Sequence, residues 1–238
     1  MPVDPAEIVR TLAAGHRPAH PHVIGQSEPP PVASITDPDG TPILLLADAS
    51  PTARHLRTCD PSIAVRYDDR PPVPDAPWLG SAWICGWAEP VDAPDRQALA
   101  VSFADHHPVP DLLGIGSTHS LWKIEPVEIR LDDGEAPIEI PVADYREATA
   151  DTWYPLETSL IMDLTIHHSD VLDALLHRIR HRLPEARRLT PLRMDRHGII
   201  VDVHCADDSR RFLIRHRPGV ASPAQVLHGL ACCTCHHA

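Results

Sequence analysis

The chain has 238 residues, 43% of them apolar and 23% charged, which is enough for a real core in one large domain or two small ones and excludes wholesale disorder. No stretch approaches the roughly 18 uncharged apolar residues of a membrane span, and the opening Met1-Pro2-Val3-Asp4-Pro5 lacks a basic start and an apolar signal core, so the expectation is a cytoplasmic protein with no membrane partner. A net charge of −12, with 33 acids against 21 bases, repels phosphate backbones, so no nucleic-acid partner is expected.

Lys123 is the one lysine; every other base is arginine, so an anionic ligand must be held by guanidinium groups. The 27 prolines favour loops and short strands over a helical bundle. Six cysteines, at 59, 85, 205, 232, 233 and 235, read as reduced thiols.

In chain order, Asp4-Pro5-Ala6-Glu7 starts a helix with Ile8, Val9 and Leu12 on its apolar face and Gly15 as its stop. Residues 16–31 read as a loop. Val32 to Thr36 and Ile43 to Leu46 flank the turn Asp37-Pro38-Asp39-Gly40, a hairpin. Ser50 to Thr58 is a short polar helix, and Ser62 to Tyr67 alternates as a half-buried strand. After prolines in 71–77, Ser81 to Ala88 is a strand carrying Trp83 and Trp87. Pro94 opens a helix to about Asp105, and Leu121–Ile124 and Val127–Leu131 read as two further strands. Short strands with a few short helices predict a small, closed or partly closed barrel.

The pattern changes after Tyr145. Apolar residues recur at helical spacing from Glu157 to about Leu183, one long helix with a possible interruption at Ser169. His168 falls on its apolar face, where a buried, hydrogen-bonded histidine paired with Asp195 or a carbonyl is expected. Leu189–Met194 and Ile199–Cys205 flank the hairpin signal Asp195-Arg196-His197-Gly198; Arg211–Arg215 is a third strand and Pro223–Leu230 a closing helix. The fold class is α+β: a barrel over 1–145 and a smaller α-β-β-β-α domain over 146–238, with the boundary between 140 and 152.

Several of these segments resemble the pyridoxamine-phosphate-oxidase-like split barrels, the superfamily that includes flavin mononucleotide (FMN) binders. Ile43 to Asp48, Arg54-His55-Leu56 and Asp60-Pro61-Ser62 are similar to its apolar strand, "T-R-N-L" helix and "D-P-R-V" turn. Gly86-Trp87-Ala88, His106-His107-Pro108 and Leu121 to Val127 are similar to its "G-x-A" strand, its "H-P" helix end and its last barrel strands. Leu160 to Leu175, with His167-His168-Ser169-Asp170, and the hairpin at Asp195 resemble the domain that follows the barrel in haem-utilisation proteins of the HugZ type. The resemblance implies a homodimer with haem, or alternatively FMN, at the dimer interface. It implies haem binding with or without haem oxygenase-like degradation; the alternatives are an FMN-dependent oxidoreductase and a non-catalytic regulator gripping an enzyme such as glutamyl-tRNA reductase. The sequence departs from the flavin pattern in having Leu44, Leu45 and Leu46 where bases would hold the phosphate, and from the HugZ pattern in reading Asp132-Asp133-Gly134-Glu135-Ala136 in place of a glycine-rich run.

Two groups of residues carry candidate chemistry. Cys232, Cys235, His236 and His237 in the tail are metal-type donors, and the resemblance makes His236 and His237 joint candidates for an axial bond to haem iron. Ser50, Arg54 and His55 at a helix start form a candidate seat for a phosphate or a haem propionate. Trp83 and Trp87 share a strand face and serve either as walls for a flat ring or as a core or dimer contact. No nucleophile elbow, phosphate loop or dinucleotide fingerprint is present, and catalytic residues are not identified.

Overall fold

A computed structural model of the chain describes residues 3–134, 136–216, 222 and 225. The closing helix expected at Pro223–Leu230 and the tail donors Cys232, Cys235, His236 and His237 lie outside the described residues. The chain divides into two compact units, Met1–Asp69 with Leu79–Ala150, and Arg70–Trp78 with Asp151–Ala238.

The first unit opens with α1 (Pro5–Ala13), capped by the Asp4 carboxylate, which accepts from Ala6 N at 3.0 Å. Val9 and Leu12 are fully buried, and Gly15 turns the chain at φ +96°, a left-handed conformation that favours glycine. Next come β1 (His20–His22), β2 (Ser34–Thr36), β3 (Pro42–Ala47), α2 (Pro51–Thr58), β4 (Ser62–Asp69), β5 (Gly80–Pro90), α3 (Ala93–His106), β6 (His119–Asp132), β7 (Ile138–Ile140) and α4 (Val142–Glu147). The strands form one antiparallel sheet in the order β1-β4-β5-β6-β3-β2, with β7 also paired to β6, curled into a half-barrel. The fold is a split barrel with a smaller α+β domain.

Two local expectations change. The loop at 16–31 contains β1, which adds to the sheet edge with His22 opposite Ala64 and His20 opposite Arg66. The two strands expected on either side of Pro126 are one strand of 14 residues, β6. Proline is accommodated there by a bulge: Gly86 pairs with Pro126 and Cys85 with Glu128, leaving Val127 unpaired and 57% exposed.

Alternation fixes which face of the sheet is core. Ile63, Val65 and Tyr67 of β4 and Ala82, Ile84 and Ala88 of β5 are buried, as are Ile124, Ile129 and Leu131 of β6. Phe103 of α3 packs with Ile35, Ile43, Leu45 and Leu121. The opposite face carries the intervening residues and is far less covered.

In the second unit α5 (Glu157–His167) and α6 (Ser169–Arg180) pack with β8 (Arg188–Met194), β9 (Gly198–His204) and β10 (Ser209–Arg215), a sheet in the order β10-β9-β8. The long helix of the sequence reading is interrupted at His168 (φ −128°, ψ 42°), beside the interruption expected at Ser169. That break corrects the reading of His168 as buried: its ring is half-buried and pairs with Asp163 at 3.4 Å, while Asp195 serves the hairpin turn, accepting from His197 N and Gly198 N at 2.8 and 2.9 Å. Glu157 and Arg193, both buried, form an ion pair at 3.4 Å.

Candidate cofactor cleft on the outer sheet face

The sheet register places three parallel rows of side chains on the outer face of β1, β4, β5 and β6. His20, Arg66, Trp83 and Arg130 form one row, His22, Ala64, Cys85 and Glu128 the next, and Ser62 and Trp87 a third. Ala64 is the small member of the middle row, and Gly86 beside it has no side chain. The result is a cleft of about 420 Å³ whose floor is Ala64 and whose walls include His22, Ile24, Cys85, Trp87 and Val127. That volume falls within the roughly 300–1,000 Å³ of ordinary small-molecule sites.

The cleft is apolar and open. Ile24 is 79% exposed and Trp87 53%, so three large apolar side chains, counting Val127, meet solvent together beside one imidazole. The bulge in β6 interrupts the alternation, so that the consecutive residues Val127 and Glu128 both lie on the outer side.

Charge is concentrated at one edge of the cleft, and it is already paired. Arg66 approaches Glu28 Oε1 at 2.7 Å and Asp68 Oδ1 at 2.9 Å, and its guanidinium lies 5.7 Å from the centre of the Trp83 ring. His20 sits between the same two carboxylates, at 3.6 Å from Glu28 and 3.9 Å from Asp68. Arg130 is ion-paired to Glu128. His22 packs on Trp83 with ring centres 5.1 Å apart, and its Nε2 is enclosed, 3.7 Å from Glu28 Oε1. Burial pulls the His22 imidazole below the ordinary histidine value; Glu28 opposes that shift and Arg66 adds to it. Burial, with Glu128 beside it, pushes the Cys85 thiol up.

The residues singled out from the sequence occupy different places. Trp87 is in the cleft wall and Trp83 supports His22, donating from Nε1 to Ser81 Oγ at 3.1 Å. Ser50 caps α2, its hydroxyl accepting from Ala53 N at 3.1 Å; Arg54 is exposed and His55 half-buried, and none of the three lines the cleft. His106 and His107 contact the Ser102 and Ser34 carbonyl oxygens at 3.0 and 2.8 Å, and no group of three metal-type donors occurs among the described residues. His22 and Ile24 escaped the sequence reading because β1 lies within a proline-rich loop; the alternation His20-Pro21-His22 was the available signal.

No protein-family model matches the sequence, and no curated protein matches it. Solved structures do. The haem-binding protein from Mycobacterium smegmatis aligns over 97% of this chain and 97% of its own, with 20% identity and a TM-score of 0.64. A protein of unknown function from Agrobacterium tumefaciens aligns over 97% of this chain and 95% of its own, with 16% identity and a TM-score of 0.50. At such identities the likeness establishes the fold, and function must be argued from the site. Among the described residues no helix is long and apolar enough to cross a membrane.

Proposed function

We propose that the chain binds haem in the outer-face cleft, with a second copy of the chain closing over the exposed ring to form a homodimer. The observation that carries this reading is the cleft itself: an apolar floor and walls, open along one side, with one half-buried imidazole at its margin. A porphyrin needs apolar surface for its faces and a nitrogen donor for its iron, and both residue types are present. The similarity in fold to a haem-binding protein agrees with it. FMN fits less well. It has no metal for the imidazole to meet, and the anionic groups of either ring would have to be met away from Arg66 and Arg130, which are ion-paired to Glu28, Asp68 and Glu128.

Closure by a second copy follows from the same surface, because Ile24, Trp87 and Val127 would be covered by it. The tail donors Cys232, Cys235, His236 and His237 are proposed as further ligands to iron or to a separate metal, and Ser50, Arg54 and His55, which do not line this cleft, as a separate anion seat, on their chemistry alone. The haem group supplies the iron-centred redox chemistry when bound; the chain supplies the walls, the donor and exclusion of water.

Haemin titrated into the purified protein is expected to give a saturable Soret shift, and sedimentation is expected to give a dimer. Yellow protein with flavin absorption and no response to haemin would overturn the reading. A variant truncated before Cys232 identifies the role of the tail: an unchanged Soret band and affinity removes it as a ligand.

A further inference from the structure

We infer that His22 is the imidazole that meets the iron of the ring, held from behind by the Glu28 carboxylate. The inference rests on the haem reading of the cleft and names the residue that anchors the ring there.

The geometry separates His22 from its neighbours. His22, Ala64 and Cys85 face outward side by side on three adjacent strands, about 4.7–4.9 Å from one strand to the next. Ala64 leaves the space between the imidazole and the thiol, and of the other polar side chains lining the cleft Glu128 is ion-paired to Arg130. His20, two residues away and on the same face, stands 3.6 Å from Glu28 and 3.9 Å from Asp68 and does not line the cleft. His22 does line it. Its Nε2 is buried without a hydrogen-bond partner among the described residues, 3.7 Å from Glu28 Oε1. The ring is also fixed in orientation by its contact with Trp83.

The surroundings suit a metal donor. A ligating histidine ordinarily has its second nitrogen near a carboxylate, which sets the ring's orientation and strengthens it as a donor. Glu28 is in that position and is itself anchored by Arg66 at 2.7 Å. Cys85 is the rival donor, but burial and Glu128 favour its thiol over the thiolate that binds metal. Glu28 is a positioning residue: it touches the imidazole, not the ring.

The test is a haemin titration of the full chain beside His22→Ala and His22→Gln, the second retaining bulk and polarity at the edge strand. The expected result is a Soret shift for the wild type, with affinity at least tenfold weaker and the band displaced in both variants. Added imidazole should restore the wild-type band in His22→Ala. Glu28→Gln should still bind haemin but with a raised iron reduction potential, because a weaker donor stabilises the oxidised iron less. Wild-type spectrum and affinity in both His22 variants would overturn the inference and leave the haem reading standing. No response of the wild type to haemin would overturn the haem reading, and this inference with it.

Discussion

A Cβ added at Gly86 would sit 1.9 Å from the Glu125 carbonyl oxygen, closer than any real contact, and the atom in the way is backbone. Gly86→Ala should therefore cost about 1–3 kcal/mol, the usual range for overpacking a filled site, and should disturb the bulge at Val127. Urea denaturation measures the loss; a midpoint equal to wild type would contradict the account of the bulge. A second residue-scale prediction concerns Glu157 and Arg193. Removing one partner of a buried ion pair leaves a charge without its counter-ion, typically at a cost of about 3–5 kcal/mol. Glu157→Gln should be destabilised accordingly in urea, and the double variant Glu157→Gln, Arg193→Met should recover much of the loss. A double variant weaker than the sum of the two singles would sink that explanation.

At the scale of elements, the β8–β9 hairpin is held by one carboxylate that accepts two backbone N–H groups and by Asp151, which accepts from Arg196 N at 2.9 Å. Asp195→Ala strands two partly buried donors and should cost roughly 1–3 kcal/mol. Asp195→Asn keeps an acceptor, and because burial already raises this carboxyl's pKa, it should stay near wild type in thermal melts. Equal losses in the two variants would contradict the turn's assigned role. This hairpin was legible in the sequence, as were α1, α2, the β2–β3 hairpin and β4, because each rests on local chemistry: a cap, a turn residue or an alternation. What was not legible depended on partners distant in the chain. A three-residue strand such as β1 exists only because β4 offers it an edge, and β6 runs through Pro126 only because Gly86 opposite lets the backbones approach. His168 was misplaced for the same kind of reason: spacing put it on the buried stripe, and the break between α5 and α6 took it out. The cleft inherits these limits. Trp87 was visible as a candidate, whereas His22 became one only when β1 joined the sheet.

For the whole molecule, two imidazoles, His16 and His22, have their pKa lowered in the fold, first by burial. The unfolded chain then binds protons below about pH 6.5 that the folded chain does not, so stability falls as pH drops from 6.5 toward the folded values. The urea midpoint should be lower at pH 5.5 than at 7.5, and His16→Asn should shrink that difference; a midpoint that rises on acidification would contradict the assignment. The central claim is that a flat ring occupies the floor between His22 and Cys85. Ala64 is half-exposed and points outward, so a large side chain there fills the cleft without entering the core. The most direct measurement is a haemin titration of Ala64→Trp beside the wild type, with circular dichroism to show that both are folded. A folded variant that no longer shifts the Soret band is the predicted result; a folded variant that binds haemin as the wild type does would place the ring elsewhere.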